Sequence, residues 1–441
     1  MKKSNDKKAT DRKSFYSKAT IIAAIFLISI AVIVESRLVQ EPVEEPLPPP
    51  PPSDPLTGAL VEEGFDETAL NRRITAFVVE NAPDARPQWG LDDENYSPDI
   101  VLQGEVEGGI TRTLWLYSDY YKLPETIGPM RSARPPYIKF SEMFDSIFIH
   151  WGMSYSKGDY VGANKIFQWH DVDHINQMTL DDKEDMYDRD HTRNVSSEHT
   201  GIVHSDKVPA TLKNEGFRAE PKEYSKLYFY EEKQPVSTET AAKISVTYSE
   251  RADWETTDWE YNEEEGKYHC YSFENDFVRD NLLVLYDDTE YIVKDNYHGG
   301  GSSVSYCDYL FKGGRAQLFT QGSVKEIRWE KKAGKLLLID PDKDAAVIQE
   351  LNSDKDKEND DNDAILAEIP LKDEELEEAK KKAEEAGEDY HPEMYVIQPI
   401  NKGKTWIGWI SQNNGGFVSI TPGDYTLTMP SAEDSEAEET A

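Results

Sequence analysis

Cysteine is nearly absent, with only Cys270 and Cys307 in 441 residues. Two thiols cannot build a disulfide-stapled scaffold or a four-cysteine metal centre. They could pair in an exported chain, or be two separate small buried residues. No cysteine follows the apolar run near the amino terminus, so lipid attachment there is excluded. Positive charge is also scarce: 48 Lys and Arg stand against 85 Asp and Glu, a formal net charge of −37. That balance argues against nucleic acid or anionic lipid as a partner, apart from the basic leader itself. It serves solubility first, with repulsion from an anionic wall or capture of divalent cations as functional alternatives. Catalytic signatures are missing too. There is no Gly-x-Ser-x-Gly elbow and no His-Glu-x-x-His. The acidic stretch DKDKENDDND lacks the central glycine and spaced glutamate of a calcium loop. No cofactor and no metal are implied.

What is present begins with a basic leader over residues 1–18, carrying Lys2, Lys3, Lys7, Lys8, Arg12, Lys13 and Lys18 against Asp6 and Asp11. An uncharged run, Ala19 to Val34, follows. At 1.5 Å per residue it spans roughly 24 Å as a helix, short but sufficient if Lys18 snorkels. Residues 19–36 therefore read as a single-pass anchor with a cytoplasmic amino terminus and an extracytoplasmic remainder. A cleaved signal segment is the rival, disfavoured by the long basic region and the absence of an Ala-x-Ala site. Residues 37–64, containing EPVEEPLPPPPPSDP, read as an extended polyproline spacer.

The rest is expected to form an α+β protein: an amino-terminal α/β domain over 65–218, a linker over 219–242, and a predominantly antiparallel β domain over 243–425. ITAFVVEN, ITRTLWLYSD and DSIFIHWG read as strands, and PPYIKFSEMF and SDKVPATLKNEGF as helices, the latter closed by Gly216. Later segments such as KISVTYSE, LLVLYDD and RAQLFTQGSVKEIRWEKK alternate as strands do. Trp254, Trp259, Trp329, Trp406 and Trp409 read as core packing. An acidic insertion over 341–392 includes the helix-like KDEELEEAKKKAEEAG, and residues 426–441 form an acidic tail expected to be disordered.

Chemistry concentrates between Glu105 and Arg134, where carboxylates, paired glycines and arginines lie among strands. Arg131 and Arg134 precede Pro135 and Pro136, which start a helix. A helix amino end with two guanidiniums favours an anion. The competing reading is a lattice in which Glu105 or Glu107 satisfies Arg112, Arg131 and Arg134. An enzyme reading would use Glu107 or Asp190 as acid/base, His150 or His199 as proton shuttle and Ser132 as nucleophile. Ser132 is more economically a helix cap, and His150, beside Trp151 at a strand end, a satisfied core histidine. His170 and His174, with Asp171 and Asp173, would ligate a metal only on one helical face.

Several motifs together resemble the YerB-like lipoprotein family of Gram-positive bacteria, whose two halves are domains of unknown function. They are Asn81 with Ala85, Arg86, Pro87, Gln88, Gly90 and Leu91; Glu107, Gly108, Gly109, Thr111 and Arg112; Gly128, Pro129, Arg131, Ser132 and Arg134; His150, Gly152 and Ser154; and Arg189, Asp190 and His199. Gln103 stands where the family has glutamate, and Glu198 and Thr200 flank His199 where proline and asparagine are usual. The resemblance implies fold and envelope location. The residues thus give a candidate anion pocket of Arg86, Glu107, Arg112, Arg131, Ser132, Arg134, His150, Arg189, Asp190 and His199. The expected role is binding or scaffolding for a cell-wall fragment or envelope protein, with an envelope hydrolase or transferase acting on an anionic wall substrate as the alternative.

Overall fold

Period-two alternation decides the architecture. In β1 (Thr75–Glu80) every residue is buried, because Phe77 and Val79 enter one core while Ala76 and Val78 enter another. A strand buried on both sides must lie inside a three-layer structure. The computed structural model describes residues 52–61, 70–181, 183–253, 255–295, 301–343, 366–368, 373–386, 390 and 394–429. The leader, the anchor segment 19–36, most of the spacer and acidic insertion, Trp254 and residues 430–441 of the tail lie outside them.

The central layer is a ten-stranded mixed sheet. Its other strands are β2 (Ile100–Glu105), β3 (Thr111–Tyr117), β4 (Ile147–His150), β5 (His174–Asn176), β6 (Asn281–Asp287), β7 (Gly314–Thr320), β8 (Ser323–Lys332), β9 (Lys335–Ile339) and β10 (Thr405–Ser411). The spatial order is β9-β8-β7-β6-β10-β2-β3-β1-β4-β5. Strand β10 runs parallel to both neighbours, pairing Ile407 with Leu283 of β6 and with Leu102 of β2. It therefore joins the two halves of the sequence through backbone hydrogen bonds. This corrects the expected division into an α/β half followed by an antiparallel β half: strand residues far outnumber helical ones among the described residues, and both halves share one sheet.

One face carries α1 (Pro135–Glu142) and α2 (Ala163–His170), whose Tyr137, Ile138, Phe140, Ile166 and Phe167 pack with Trp329 and Trp409. The opposite face is covered by a five-stranded sheet that includes Lys243–Thr247, Thr256–Asn262 and Phe417–Thr421, with Trp259 and Trp406 between the layers. The described tryptophans of the second half are thus core residues, as expected. The helix read from SDKVPATLKNEGF is α3 (Val208–Asn214), followed by Gly216 at φ +72°. In the charged insertion, α4 spans Asp373–Ala386. Residues 219–242 pack onto the body: the Ser225 amide donates to Met143 and the Tyr230 amide to Ile400. Cys270 and Cys307 are both buried and free. They occupy cores on opposite faces of the central sheet, so the pairing alternative is not realised.

Candidate functional site

The site forms where β1, β2 and β3 end together. Register places Glu80, the last residue of β1, opposite Arg112 near the start of β3. Between β2 and β3 the chain reverses at Glu107-Gly108-Gly109, with φ of +64° and +80° at the two glycines. Side chains resist that left-handed region, so the paired glycines supply a turn. The Ile110 amide closes it on the Glu107 carbonyl at 3.1 Å. An extended segment then lies beside β1, its Arg131 amide donating to Val78 at 2.9 Å. It delivers Arg131, Ser132 and Arg134 to the same corner.

Glu107 is the hub of a buried lattice. Arg134 grips it as a fork, Nε donating to Oε2 at 2.8 Å while Nη2 meets Oε1. Arg112 approaches Oε1 at 3.4 Å and also donates to the Ser132 carbonyl at 2.7 Å. Burial would raise the Glu107 carboxyl, but Arg134, then Arg112 and Arg131, override it and hold it at about 2. Burial depresses the Arg112 guanidinium to about 10, opposed by Glu107 and reinforced by Arg134. The lattice reading thus holds for Glu107 with Arg112 and Arg134. Glu105 instead accepts from Ser249 at 2.6 Å and Tyr291 at 2.8 Å.

A second, more open set adjoins it. Buried Glu80 lies 2.8 Å from His199 Nδ1 and 3.0 Å from Arg131 Nε. Arg131 is 24% exposed, and its outer edge faces Glu198, itself 57% exposed. Both Nη atoms sit 3.3 Å from Glu198 Oε2, and Nη1 is also 3.3 Å from the Glu198 carbonyl. Arg131 and Ser132 here line a cleft of about 310 Å³ with Trp151, Tyr155, Met178, Arg189 and Glu198. Arg189 lies 4.4 Å above the Trp151 ring and donates to the Ser197 carbonyl and, at 3.4 Å, to Thr200 Oγ1.

The other predicted residues lie apart. Arg86 meets Glu255 and the Asn81 carbonyl, the latter at 2.9 Å. His150 is buried, with Nδ1 2.6 Å from the Gly152 carbonyl and Nε2 3.0 Å from His174 Nδ1. Burial, then His174, pushes His150 down to about 3. It is the core histidine the alternative reading described. Asp190 caps its own loop, accepting from the Thr192 amide at 2.7 Å.

Three local expectations are not met. Ser132 is not the helix cap: the residue at that position is Arg134, with no side-chain cap bond. Nor does the start of α1 offer a row of free amides, since Pro135 and Pro136 have none and the Ile138 amide bonds to the Arg134 carbonyl. His170 and His174 share no helical face either. His170 ends α2 and lies 2.9 Å from Glu142, whereas His174 begins β5.

For acyl or glycosyl chemistry, a nucleophile must touch a base. Ser132 Oγ instead donates to the Trp151 carbonyl at 3.1 Å, and no described histidine or carboxylate bonds to it. Gln103, standing where the resembled family has glutamate, accepts from Thr257 and Trp406, each at 3.2 Å, within the core. Sequence reasoning missed Glu80, the bridging carboxylate, although its place at the end of an apolar strand was a signal. It also missed the part played by Trp151 and Tyr155, on the loop after β4, and by Met178, on the loop after β5, which share no spacing pattern.

Residues 56–218 match a family described as "Protein of unknown function (DUF3048) N-terminal domain", and residues 244–350 match the corresponding C-terminal domain. "Putative lipoprotein YerB" of Bacillus subtilis (strain 168) is 29% identical over 293 residues, covering 65% of this chain and 80% of that protein. The crystal structure of YerB from Bacillus subtilis shares the fold with a TM-score of 0.55 at 20% identity, covering 83% of this chain and 99% of that one.

Proposed function

Because the chain belongs to the YerB-like family of two-part proteins of unknown function, we propose that it is an extracytoplasmic envelope protein that binds a cell-wall component or a wall-assembly partner. The lipoprotein label on its relative supports an envelope location. Here residues 19–36 supply the anchor in place of a lipidated cysteine. The amino terminus lies in the cytoplasm and the folded body outside. The two halves of the body act as one unit, and the strong negative charge keeps it soluble beside an anionic surface.

The observation that carries the reading is the division of labour among the arginines. Arg112 and Arg134 are buried and satisfied by Glu107 and by backbone carbonyls. Arg131 and Arg189 instead line an open cleft beside aromatic and methionine side chains. A pocket with apolar walls and a few placed charges is suited to recognition. Hydrolysis is disfavoured by the engagement of Ser132 and His150 in structural bonds.

Calorimetric titration of the full-length, detergent-solubilised protein with fragments from digested cell wall tests this. Saturable binding by wild type, weakened at least fivefold by Arg189→Gln without loss of folded structure, is the expected result. Wild type that binds no fragment, or turnover of the fragments by the protein alone, would contradict it.

A further inference from the structure

The cleft narrows the chemistry of its ligand, and this step rests on the binding role proposed above. Arg131 has two unequal sides. Its inner side faces Glu80, with Nε 3.0 Å from a carboxylate that is buried and also held by His199. Its outer side meets Glu198 through three contacts of 3.3 Å, on a residue 57% exposed at a short turn over Ser197–His199. Exposed ion pairs with such long contacts contribute little to stability. The Glu198 carboxylate can leave by rotating into water with no change of backbone, while the Glu198 carbonyl stays 3.3 Å from Nη1. Once it leaves, the guanidinium retains two outward N–H groups in a fork that fits a planar carboxylate.

Charge supports the same conclusion. Among the described residues Arg189 forms no ion pair with a carboxylate; its partners are the Ser197 carbonyl, the Thr200 hydroxyl and the Trp151 ring. With Glu198 displaced, the cleft holds Arg131 and Arg189 against Glu80 alone and needs one negative charge. The apolar walls say what that charge is attached to. Met178 is 66% exposed and Tyr155 58% exposed, beside Trp151 and Met153. Methionine adapts its shape to a range of apolar groups. The volume, about 310 Å³, is at the low end for ligand sites and suits the end of a chain better than a folded partner.

We infer that Glu198 occupies the place of a ligand's carboxylate, and that the cleft takes the free carboxyl terminus of a peptide with an apolar last residue. The incoming carboxylate exchanges with Glu198 on Arg131 while the apolar side chain lies on Met178 and Tyr155. Arg189 accompanies it as the second cation.

The test uses the full-length protein labelled with 13C-methyl methionine, its Met178 resonance assigned by Met178→Leu, titrated with acetyl-Ala-Leu as the free acid and as the carboxamide. The free acid should shift the Met178 methyl, with the carboxamide at least tenfold weaker. Glu198→Gln should bind the free acid about two- to fivefold tighter, since a weak internal competitor has been removed. Arg189→Gln, which disturbs no buried carboxylate, should weaken it at least threefold. Equal binding of acid and carboxamide, or a Glu198→Gln variant that binds no tighter, overturns the inference. So does inorganic phosphate that outcompetes the free acid, because it assigns the cleft to another anion. Neither peptide shifting Met178 while wall fragments still bind by calorimetry overturns the carboxylate proposal and leaves the binding role intact. If wall fragments also fail to bind, both fall.

Discussion

Glu107 and Glu198 each face arginines delivered by the same segment, yet their surroundings set them to different work. Glu107 is largely buried, at 17% exposed, gripped by the Arg134 fork at 2.8 Å through Nε and approached by Arg112. Glu198 stands at the rim of a cleft and reaches Arg131 only at 3.3 Å. Identical chemical pairs differ in consequence because burial removes the alternative of water. A buried charge that loses its partner is stranded, whereas an exposed one is rehydrated. The first pair holds the corner where three strands end, and the second leaves an arginine open to exchange.

The comparison breaks most sharply at Glu107. Glu107→Ala should cost about 3–5 kcal/mol in denaturant unfolding, because Arg112 and Arg134 remain buried without their carboxylate. A loss below about 1 kcal/mol would mean that water or a shifted neighbour replaces it.

Acid titration should expose the same lattice. The folded Glu107 carboxyl lies at about 2 against an ordinary 4.5, so its contribution is complete above 4.5 and disappears as pH falls through 2. It amounts to about 3 kcal/mol, and Glu107→Gln should remove that acid-side slope from stability curves. A carboxylate pair at the other end of β3 should titrate in the opposite sense. The Ser118 hydroxyl touches both Asp54 and Asp99, and it has one hydrogen to give. Burial, then Asp54, pushes Asp99 up to about 6. The folded state holds that proton more tightly than the unfolded chain does. Its contribution is therefore complete below the ordinary value of 3.8 and is lost as pH rises through 6. Asp99→Asn should flatten stability between about pH 4 and 6 and leave the acid limb of Glu107 unchanged, as thermal melts across pH would show.

The smallest stability effect belongs to the cleft. Glu198→Gln should change unfolding free energy by less than about 0.5 kcal/mol, while altering ligand affinity. Met178→Gln should likewise leave the fold intact, since Met178 is 66% exposed, and it should weaken any ligand with an apolar group.

Much of this was legible in the chain, and the limits have physical reasons. The apolar run in ITAFVVEN and the Pro-Pro pair before IKFSEMF located β1 and α1, because both signals are local. Arg112, Arg131 and Arg134 also identified the corner, since guanidiniums among strands must find carboxylates. The place of β10 between β6 and β2 was not legible. Partners on neighbouring strands, such as Val101 and Trp406, lie about 300 positions apart in sequence; they are chosen by packing of the whole sheet and leave no local mark. His150 shows the same limit: its meeting with His174 depends on the parallel pairing of β4 with β5. Glu198 could be noticed as a departure from the family pattern, but its contact with Arg131 required the turn over Ser197–His199.

The most direct test sets Glu107→Gln against Glu198→Gln in one denaturant series at neutral pH, with folded structure followed by near-ultraviolet circular dichroism. The account predicts a markedly lower midpoint for Glu107→Gln and an unchanged midpoint for Glu198→Gln. Equal losses, or a larger loss at Glu198, would contradict the assignment of one pair to the fold and the other to the ligand.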